Sequence, residues 1–225
     1  IIAIAALGNR ELATNLAALD RGEGSREALE AIARAGKTEA ERNLATEALQ
    51  NFVKYAPLIS QIQGGSQSGR KALDAAIQEL KAGSYEEGGD NRGPRIRKYQ
   101  AAVRVPEGSP WSAAFVSWCF SQIPEGAPFK LSGSFRDIFA QFKEKGWLHT
   151  ADTGYIPQPG DIMFIISESG SDGRARHGGS VLRYENGLVH VIEGNTDLKA
   201  GGAGQLVVAR PRQMSSRLTF GHVPD

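Results

Sequence analysis

Residues 179–193 read Gly-Ser-Val-Leu-Arg-Tyr-Glu-Asn-Gly-Leu-Val-His-Val-Ile-Glu, and this stretch decides the class of fold. Two apolar, strand-like runs flank the pair Asn186-Gly187, and an Asn-Gly pair favours a tight hairpin turn. The two runs are therefore predicted to be neighbouring antiparallel strands. Four strands of one sheet are predicted in all, at 161–166, 179–184, 188–193 and 205–210.

The chain before these strands has a helical pattern. Residues 9–60 are rich in Ala, Leu, Glu and Arg, and their apolar residues recur at a spacing that predicts three short helices. The small, uncharged residues 64–69 are typical of a linker, which divides a helical N-terminal unit, 1–65, from a second unit, 66–225. Because helices precede strands, we expect an α+β fold with helices packed on one side of an antiparallel sheet. The helices predicted in the second unit are 70–82, 111–122 and 134–145.

Composition excludes several classes of partner. The chain of 225 residues has 26 basic and 25 acidic residues and a net charge of +1, so nucleic acid is not expected to bind. The longest apolar run, residues 1–7, is much shorter than the about 20 residues of a membrane span. The single cysteine, Cys119, excludes an intrachain disulfide and a zinc site of clustered cysteines.

A possible nucleophile position lies in residues 109–119, Ser-Pro-Trp-Ser-Ala-Ala-Phe-Val-Ser-Trp-Cys. Pro110 and Trp111 end an extended segment, and a helix is predicted to begin at about Ser112. Unpaired N–H groups and the positive end of the helix dipole at that point would stabilise a thiolate or an oxyanion. Taken alone, Ser112 is equally a residue type that caps helices. Cys119 lies inside the predicted helix, where a buried structural thiol is the usual outcome.

A candidate base and its polar partners follow in the second half of the chain. His177 precedes small residues that allow close backbone approach, and a predicted strand follows it. Glu193 and Asn195 end another strand two residues apart, a spacing that places both on one face. Taken singly, these residues could also belong to an ordinary loop and turn, but a nucleophile requires a base that is held by a third group. The remaining histidines are expected to be structural or exposed: His149, His190 and His222.

These segments resemble the CHAP (cysteine, histidine-dependent amidohydrolase/peptidase) family. Residues 110–118 resemble its Pro-Trp-Cys-Ala-x-Phe-Val-x-Trp signature, with Ser112 where the family has its nucleophilic cysteine. The sequence at His177 is similar to the His-x-Gly-x-Val strand of CHAP and related NlpC/P60 enzymes, and residues 192–195 to the family's Ile-Glu-Gly-Asn segment. Further similar segments are 89–96 and 157–164. The resemblance covers about 69–224 and implies a papain-like fold for that part.

The resemblance implies hydrolysis of an amide bond in the peptides of bacterial peptidoglycan. A cysteine at position 112 would attack, His177 would carry the proton, Glu193 with Asn195 would hold His177, and Trp111 would pack beside the site and bind substrate. Either a cysteine was replaced at 112 or the natural protein has serine there. With serine we expect little or no hydrolysis, because a hydroxyl is almost wholly protonated near pH 7.

The resemblance also implies secretion or delivery to the bacterial periplasm or cell wall. Such domains occur in lysins, autolysins and antibacterial toxins, and a toxin would have an immunity protein as its partner. Two alternatives stay open: a naturally inactive CHAP fold that binds wall peptides or a protein, and an amidase for a small peptide-like amide.

No metal or cofactor is expected. Some CHAP members bind calcium through an Asp-rich loop, but residues 86–91 lack its alternating pattern. A cluster of basic residues in the same part of the chain favours a solvated helix face over a substrate-binding surface. Its members are Arg92, Arg95, Arg97, Lys98 and Arg104.

Overall fold

The computed structural model describes residues 38–167, 175–198 and 204–225. These residues form five α-helices and six β-strands, which is the predicted α+β class. The helices are α1 (Glu39–Ile59), α2 (Gln67–Lys81), α3 (Pro94–Ala102), α4 (Ser112–Ser121) and α5 (Phe135–Glu144). The strands are β1 (Leu148–Thr150), β2 (Ile162–Ile166), β3 (Ala175–Glu185), β4 (Leu188–Thr196), β5 (Leu206–Gln213) and β6 (Leu218–Gly221).

All described strands belong to one antiparallel sheet in the order β1-β6-β2-β3-β4-β5. The predicted hairpin is confirmed: Asn186 and Gly187 have φ angles of 52° and 78°, and Glu185 pairs with Leu188 across the turn. Two positive φ angles match the right-handed twist of the flanking strands. Strands β1 and β6 were not predicted, because three and four residues are too few to establish an alternating pattern.

Helix α4 lies at the centre of the molecule. It contacts α2 and α3 on one side and β3 and β4 on the other. Seven of its ten residues are buried, so it is apolar nearly all round rather than along one stripe. The first residue of this enclosed helix is Ser112.

Helix α1 covers one edge of the sheet. The Asn51 side chain donates from Nδ2 to the Ala209 carbonyl at 2.8 Å and accepts from the Ala209 N–H at 2.7 Å. Because β5 is an edge strand, this amide replaces the neighbouring strand that Ala209 lacks. Phe52 and Tyr55 of the same helix join the main hydrophobic core. Helix α1 therefore packs on the sheet and covers the edge formed by β5.

The three helices predicted in the N-terminal part of the chain can be compared with the structure only in part. The third predicted helix corresponds to α1, whereas the first two fall on residues 1–37, outside the described residues. Part of the linker-like segment is helical: α2 begins at Gln67, earlier than predicted, because Ser66 Oγ accepts a hydrogen bond from the Gly69 N–H at 3.2 Å. The division of the chain at residue 65 stays a prediction. No helix of the described segments has both the length and the apolarity needed to cross a bilayer.

Candidate active site

Ser112 is the first residue of α4, as predicted, but it does not cap the helix. The capping position belongs to Trp111, with φ −122°, and no side chain makes a capping hydrogen bond. Ser112 is partly exposed, and its hydroxyl has no hydrogen-bond partner among the residues the structure describes. The interpretation of Ser112 as an ordinary cap is therefore wrong, and its hydroxyl is available for another purpose.

The backbone at the start of α4 offers hydrogen-bond donors. The Phe115 N–H makes the bond to the Trp111 carbonyl at 2.8 Å that opens the helix. The N–H groups of residues 112–114 precede that bond and so have no partner inside the helix. Together with the helix dipole, they form the kind of positive environment that stabilises a negative oxygen or sulfur.

Packing places the start of α4 against the end of β4. Trp111 and Phe115 lie so close to Gly194 that a methyl group there would come within 2.7 Å of the Trp111 ring and 2.8 Å of Phe115 Cγ. Only a residue without a side chain fits. Since Gly194 separates Glu193 from Asn195, Trp111 and Phe115 of the helix start contact the strand segment that carries both predicted partners.

Asn195 holds the segment before Ser112 rather than the histidine. Its Oδ1 accepts the Trp111 backbone N–H at 3.2 Å, and its Nδ2 donates to Asn91 Oδ1 at 3.1 Å and to the Gly204 carbonyl at 2.6 Å. Within the described residues its side chain makes no bond to His177. The expectation that Asn195 assists His177 directly is therefore corrected, because its polar atoms are used by the loops around Trp111.

Glu86 is a buried acceptor that sequence analysis considered only as a possible calcium ligand. Its Oε1 accepts the Trp111 indole N–H at 2.7 Å and a second bond from Asn195 at 3.3 Å, and its Oε2 accepts the Asn91 N–H at 2.9 Å. The Trp111 ring is fully buried, so it packs beside the site as expected but leaves no surface to bind substrate. Among the described residues, no group of three or more His, Cys, Asp or Glu side chains could hold a metal ion.

His177 and Glu193 form a hydrogen-bonded pair. His177 Nε2 lies 3.0 Å from Glu193 Oε2, the His177 side chain is 24% exposed, and the Glu193 side chain is fully buried. The strands approach closely here, since a methyl group at Gly179 would lie 2.8 Å from Glu193 Cγ. His177 Nδ1 has no hydrogen-bond partner within the described part of the chain. One ring nitrogen is thus held by Glu193, and the other has no hydrogen-bond partner among these residues.

Arg212 on β5 also binds Glu193, although it belongs to none of the motifs in the sequence. Its Nε donates to Oε1 at 2.7 Å and its Nη2 to Oε2 at 2.6 Å. Burial raises the pKa of Glu193, but the hydrogen bonds and positive charges of His177 and Arg212 outweigh it and lower that pKa to about 2. A signal was present: Arg212 lies four residues from Val208, the register partner of Glu193, and so on the same face.

A second histidine–carboxylate pair lies elsewhere in the sheet. His222 Nδ1 is 2.7 Å from Asp161 Oδ1, and the Tyr155 hydroxyl donates to Asp161 Oδ2 at 2.8 Å. Burial raises the pKa of Asp161 more than these hydrogen bonds lower it. His149 stacks on the Tyr155 ring at 4.0 Å. These contacts join the start of β2 to the end of β6, which is the structural role expected of His149 and His222.

The basic residues of α3 bind a buried carboxylate. Lys98 Nζ lies 2.6 Å and Arg95 Nη1 3.2 Å from Glu79, and the Tyr99 hydroxyl also donates to it. Burial raises the pKa of Glu79, but the hydrogen bonds and charges around it produce a net lowering. The expected solvated helix face is therefore wrong for Arg95 and Lys98. Cys119 is fully buried as expected, and burial raises the pKa of its thiol.

No family model, curated protein or solved structure matches this chain. Its class must therefore be argued from its own motifs and geometry. Three features of the chain bear on its class: the helix start at Ser112, the His177–Glu193 pair and the close packing of α4 on β4.

Proposed function

We propose that the chain is a papain-like hydrolase of the CHAP type, built to cleave an amide bond in the peptides of bacterial peptidoglycan. The observation that carries this proposal is the His177–Glu193 pair, 3.0 Å apart, with Nδ1 of the imidazole unpartnered among the described residues. A base held in this way, beside a helix that begins at the candidate nucleophile, is the arrangement that covalent amide hydrolysis requires.

Each part of the site has a role in the proposed reaction. The side chain at 112 attacks the amide carbon while its proton passes to His177 Nδ1, and the N–H groups of residues 112–114 stabilise the oxyanion. His177 then gives its proton to the leaving amine as the C–N bond breaks. Water, deprotonated by His177, attacks the acyl-enzyme. The bond between the acyl carbon and the side chain at 112 then breaks, His177 returns its proton to that side chain, and the carboxylate product leaves.

The residue at position 112 decides the rate. A cysteine thiol has an ordinary pKa of about 8.5 and reaches the thiolate form easily at a helix N-terminus. A serine hydroxyl loses its proton far less readily, so the chain with Ser112 is expected to bind substrate and cleave it slowly or not at all. This expectation is the same for a replaced cysteine and for a natural serine.

The cellular role follows from the resemblance to CHAP domains. The substrate lies in the periplasm or cell wall, so the proposed site of action is there, reached by secretion or by delivery from another cell. A delivered antibacterial toxin of this kind would have an immunity protein as its partner.

The test compares the chain with its Ser112→Cys variant on purified peptidoglycan, with soluble fragments separated by mass. We expect only the cysteine variant to release fragments, and the additional change His177→Gln to abolish the release. A small peptide amide serves as the second substrate and separates the amidase alternative. If neither form cleaves while the chain still binds peptidoglycan or a protein, the hydrolase proposal fails and the binding-module alternative replaces it.

A further inference from the structure

We infer that Arg212 is a positioning residue of this site: its guanidinium keeps Glu193 ionised and thereby fixes the tautomer of His177 in which Nδ1 can accept a proton. This inference rests on the proposed function, because the tautomer matters only if His177 acts as a base. It adds a residue that none of the CHAP-like motifs in the sequence contains.

The contact between Arg212 and Glu193 is bidentate. Nε and Nη2 donate to the two different carboxylate oxygens, at 2.7 and 2.6 Å. The planar guanidinium fork matches a carboxylate in this geometry, and such charge-assisted pairs are among the strongest hydrogen bonds in proteins. Oε2 also receives His177 Nε2, so both oxygens of the buried carboxylate are in use.

Glu193 needs a permanent cation. Its side chain is fully buried, and a buried carboxylate without compensation takes up a proton instead of remaining charged. His177 cannot provide that compensation while it is a neutral base. Arg212 supplies the missing charge, because a guanidinium is a cation whatever the state of the neighbouring histidine.

The charge state of Glu193 decides which nitrogen of His177 carries hydrogen. An ionised carboxylate only accepts hydrogen bonds, so Nε2 must donate and Nδ1 remains free of hydrogen. A protonated Glu193 could donate to Nε2, which would move the ring hydrogen to Nδ1. In that tautomer Nδ1 cannot take the proton of the residue at 112, and Arg212 therefore acts through Glu193 on the base.

A purely structural role for Arg212 would be to tie β4 to β5. Arg210 provides a matched control, because it lies on the same strand, two residues away, and donates to the Asp197 carbonyl at 2.9 Å without contacting Glu193. Removing either arginine should loosen the β4–β5 region, but only removal of Arg212 should change the tautomer of His177.

The experiment measures the ¹⁵N chemical shifts of the His177 ring at pH 8 in the Ser112 chain, assigned with the His177→Gln variant. We expect the Nε2–H tautomer in the original chain and in Arg210→Gln, and a shift toward Nδ1–H in Arg212→Gln. A folded Arg212→Gln variant with an unchanged tautomer would overturn the inference.

A second variant covers the case in which Arg212→Gln does not fold. Arg212→Lys retains the charge but loses the fork, so the carboxyl carbon resonance of Glu193 should titrate at higher pH than in the original chain. An unchanged titration midpoint in this variant also contradicts the inference.

Activity provides an independent measurement. In the Ser112→Cys background, Arg212→Gln is expected to lower kcat by about 10- to 10⁴-fold with little change in KM, the upper figure being the cost of a wrong imidazole tautomer in a Ser-His-Asp triad. The ring nitrogen shifts need no substrate. They therefore decide the role of Arg212 even if peptidoglycan is not cleaved, an outcome that would reject the proposed function alone.

Discussion

Replacing Glu193 with glutamine tests how strongly the folded protein holds this carboxylate in its ionised form. The folded-state pKa of Glu193 is about 2, against an ordinary value of 4.5. This difference of about 2.5 pKa units, at about 1.4 kcal/mol each, corresponds to about 3 kcal/mol of unfolding free energy. Because the pKa is lowered, that contribution is complete above pH 4.5 and is lost as the pH falls toward 2.

Glutamine has nearly the shape of a protonated glutamate, so the two chains should become alike in acid. The difference in unfolding free energy between the original chain and Glu193→Gln is expected to shrink by about 1 kcal/mol between pH 7 and pH 4, and by about 2 kcal/mol by pH 3. The measurement is urea denaturation followed by tryptophan fluorescence at each pH. Titrating groups that do not contact Glu193 are shared by both chains and cancel in the difference.

A control variant separates this effect from general acid sensitivity. Glu125→Gln removes an exposed ion pair with Lys71, at 2.5 Å, and solvent screens such a pair, so its stability difference should hardly change with pH. If the difference for Glu193→Gln also stays constant from pH 7 to pH 3, Glu193 is not held ionised by its partners, and the reasoning from burial and hydrogen bonding is wrong.

Three further variants address the fold and the candidate nucleophile. Asn51→Ala removes both hydrogen bonds to the edge strand β5 and leaves buried backbone groups unpaired. The free energy of unfolding measured by urea denaturation should therefore fall by about 2–4 kcal/mol. A fall of less than about 0.5 kcal/mol would contradict the role of Asn51 in protecting this edge. Gly179→Ala brings a methyl group within 2.8 Å of Glu193 Cγ, so it should destabilise the chain by about 1–3 kcal/mol in the same assay. A neutral effect would show that β3 and β4 can separate to make room for the methyl group. Because Cys119 is fully buried, a thiol reagent should label the native chain only after Ser112→Cys is introduced, and mass spectrometry should then show one label per molecule. Labelling of the original native chain would refute the burial of Cys119.

Much of the local structure could be predicted from the sequence. Helices α2, α4 and α5 and the hairpin of β3 and β4 follow from apolar periodicity and from Asn186-Gly187, which are local signals. The pairing of β1 with β6 was not predictable, since each is too short to have a pattern and depends on a partner more than 60 residues away. The start of α2 was misplaced because its cap, Ser66, lies in a segment of linker-like composition.

The candidate site, like the fold, could be predicted only in part. Motifs around Ser112, His177 and Glu193 identify residues whose chemistry suits covalent hydrolysis, because a motif is defined by residue type and order, and both can be read from the sequence. Three contacts were not predicted: the bidentate pair of Arg212 with Glu193, the hydrogen bond from the Trp111 N–H to Asn195, and the acceptor Glu86.

The sequence by itself determined four of the six described strands, most of the described helices, the class of fold, and the identity of the candidate nucleophile, its base and the carboxylate that orients the base, because these depend on short-range spacing and on residue chemistry. Only the tertiary structure decided which polar groups meet. Arg212 reaches Glu193 across the β4–β5 register, and Glu86 meets Asn195 across 109 residues. Such contacts depend on strand register and on the buried space around α4, and no local pattern encodes either.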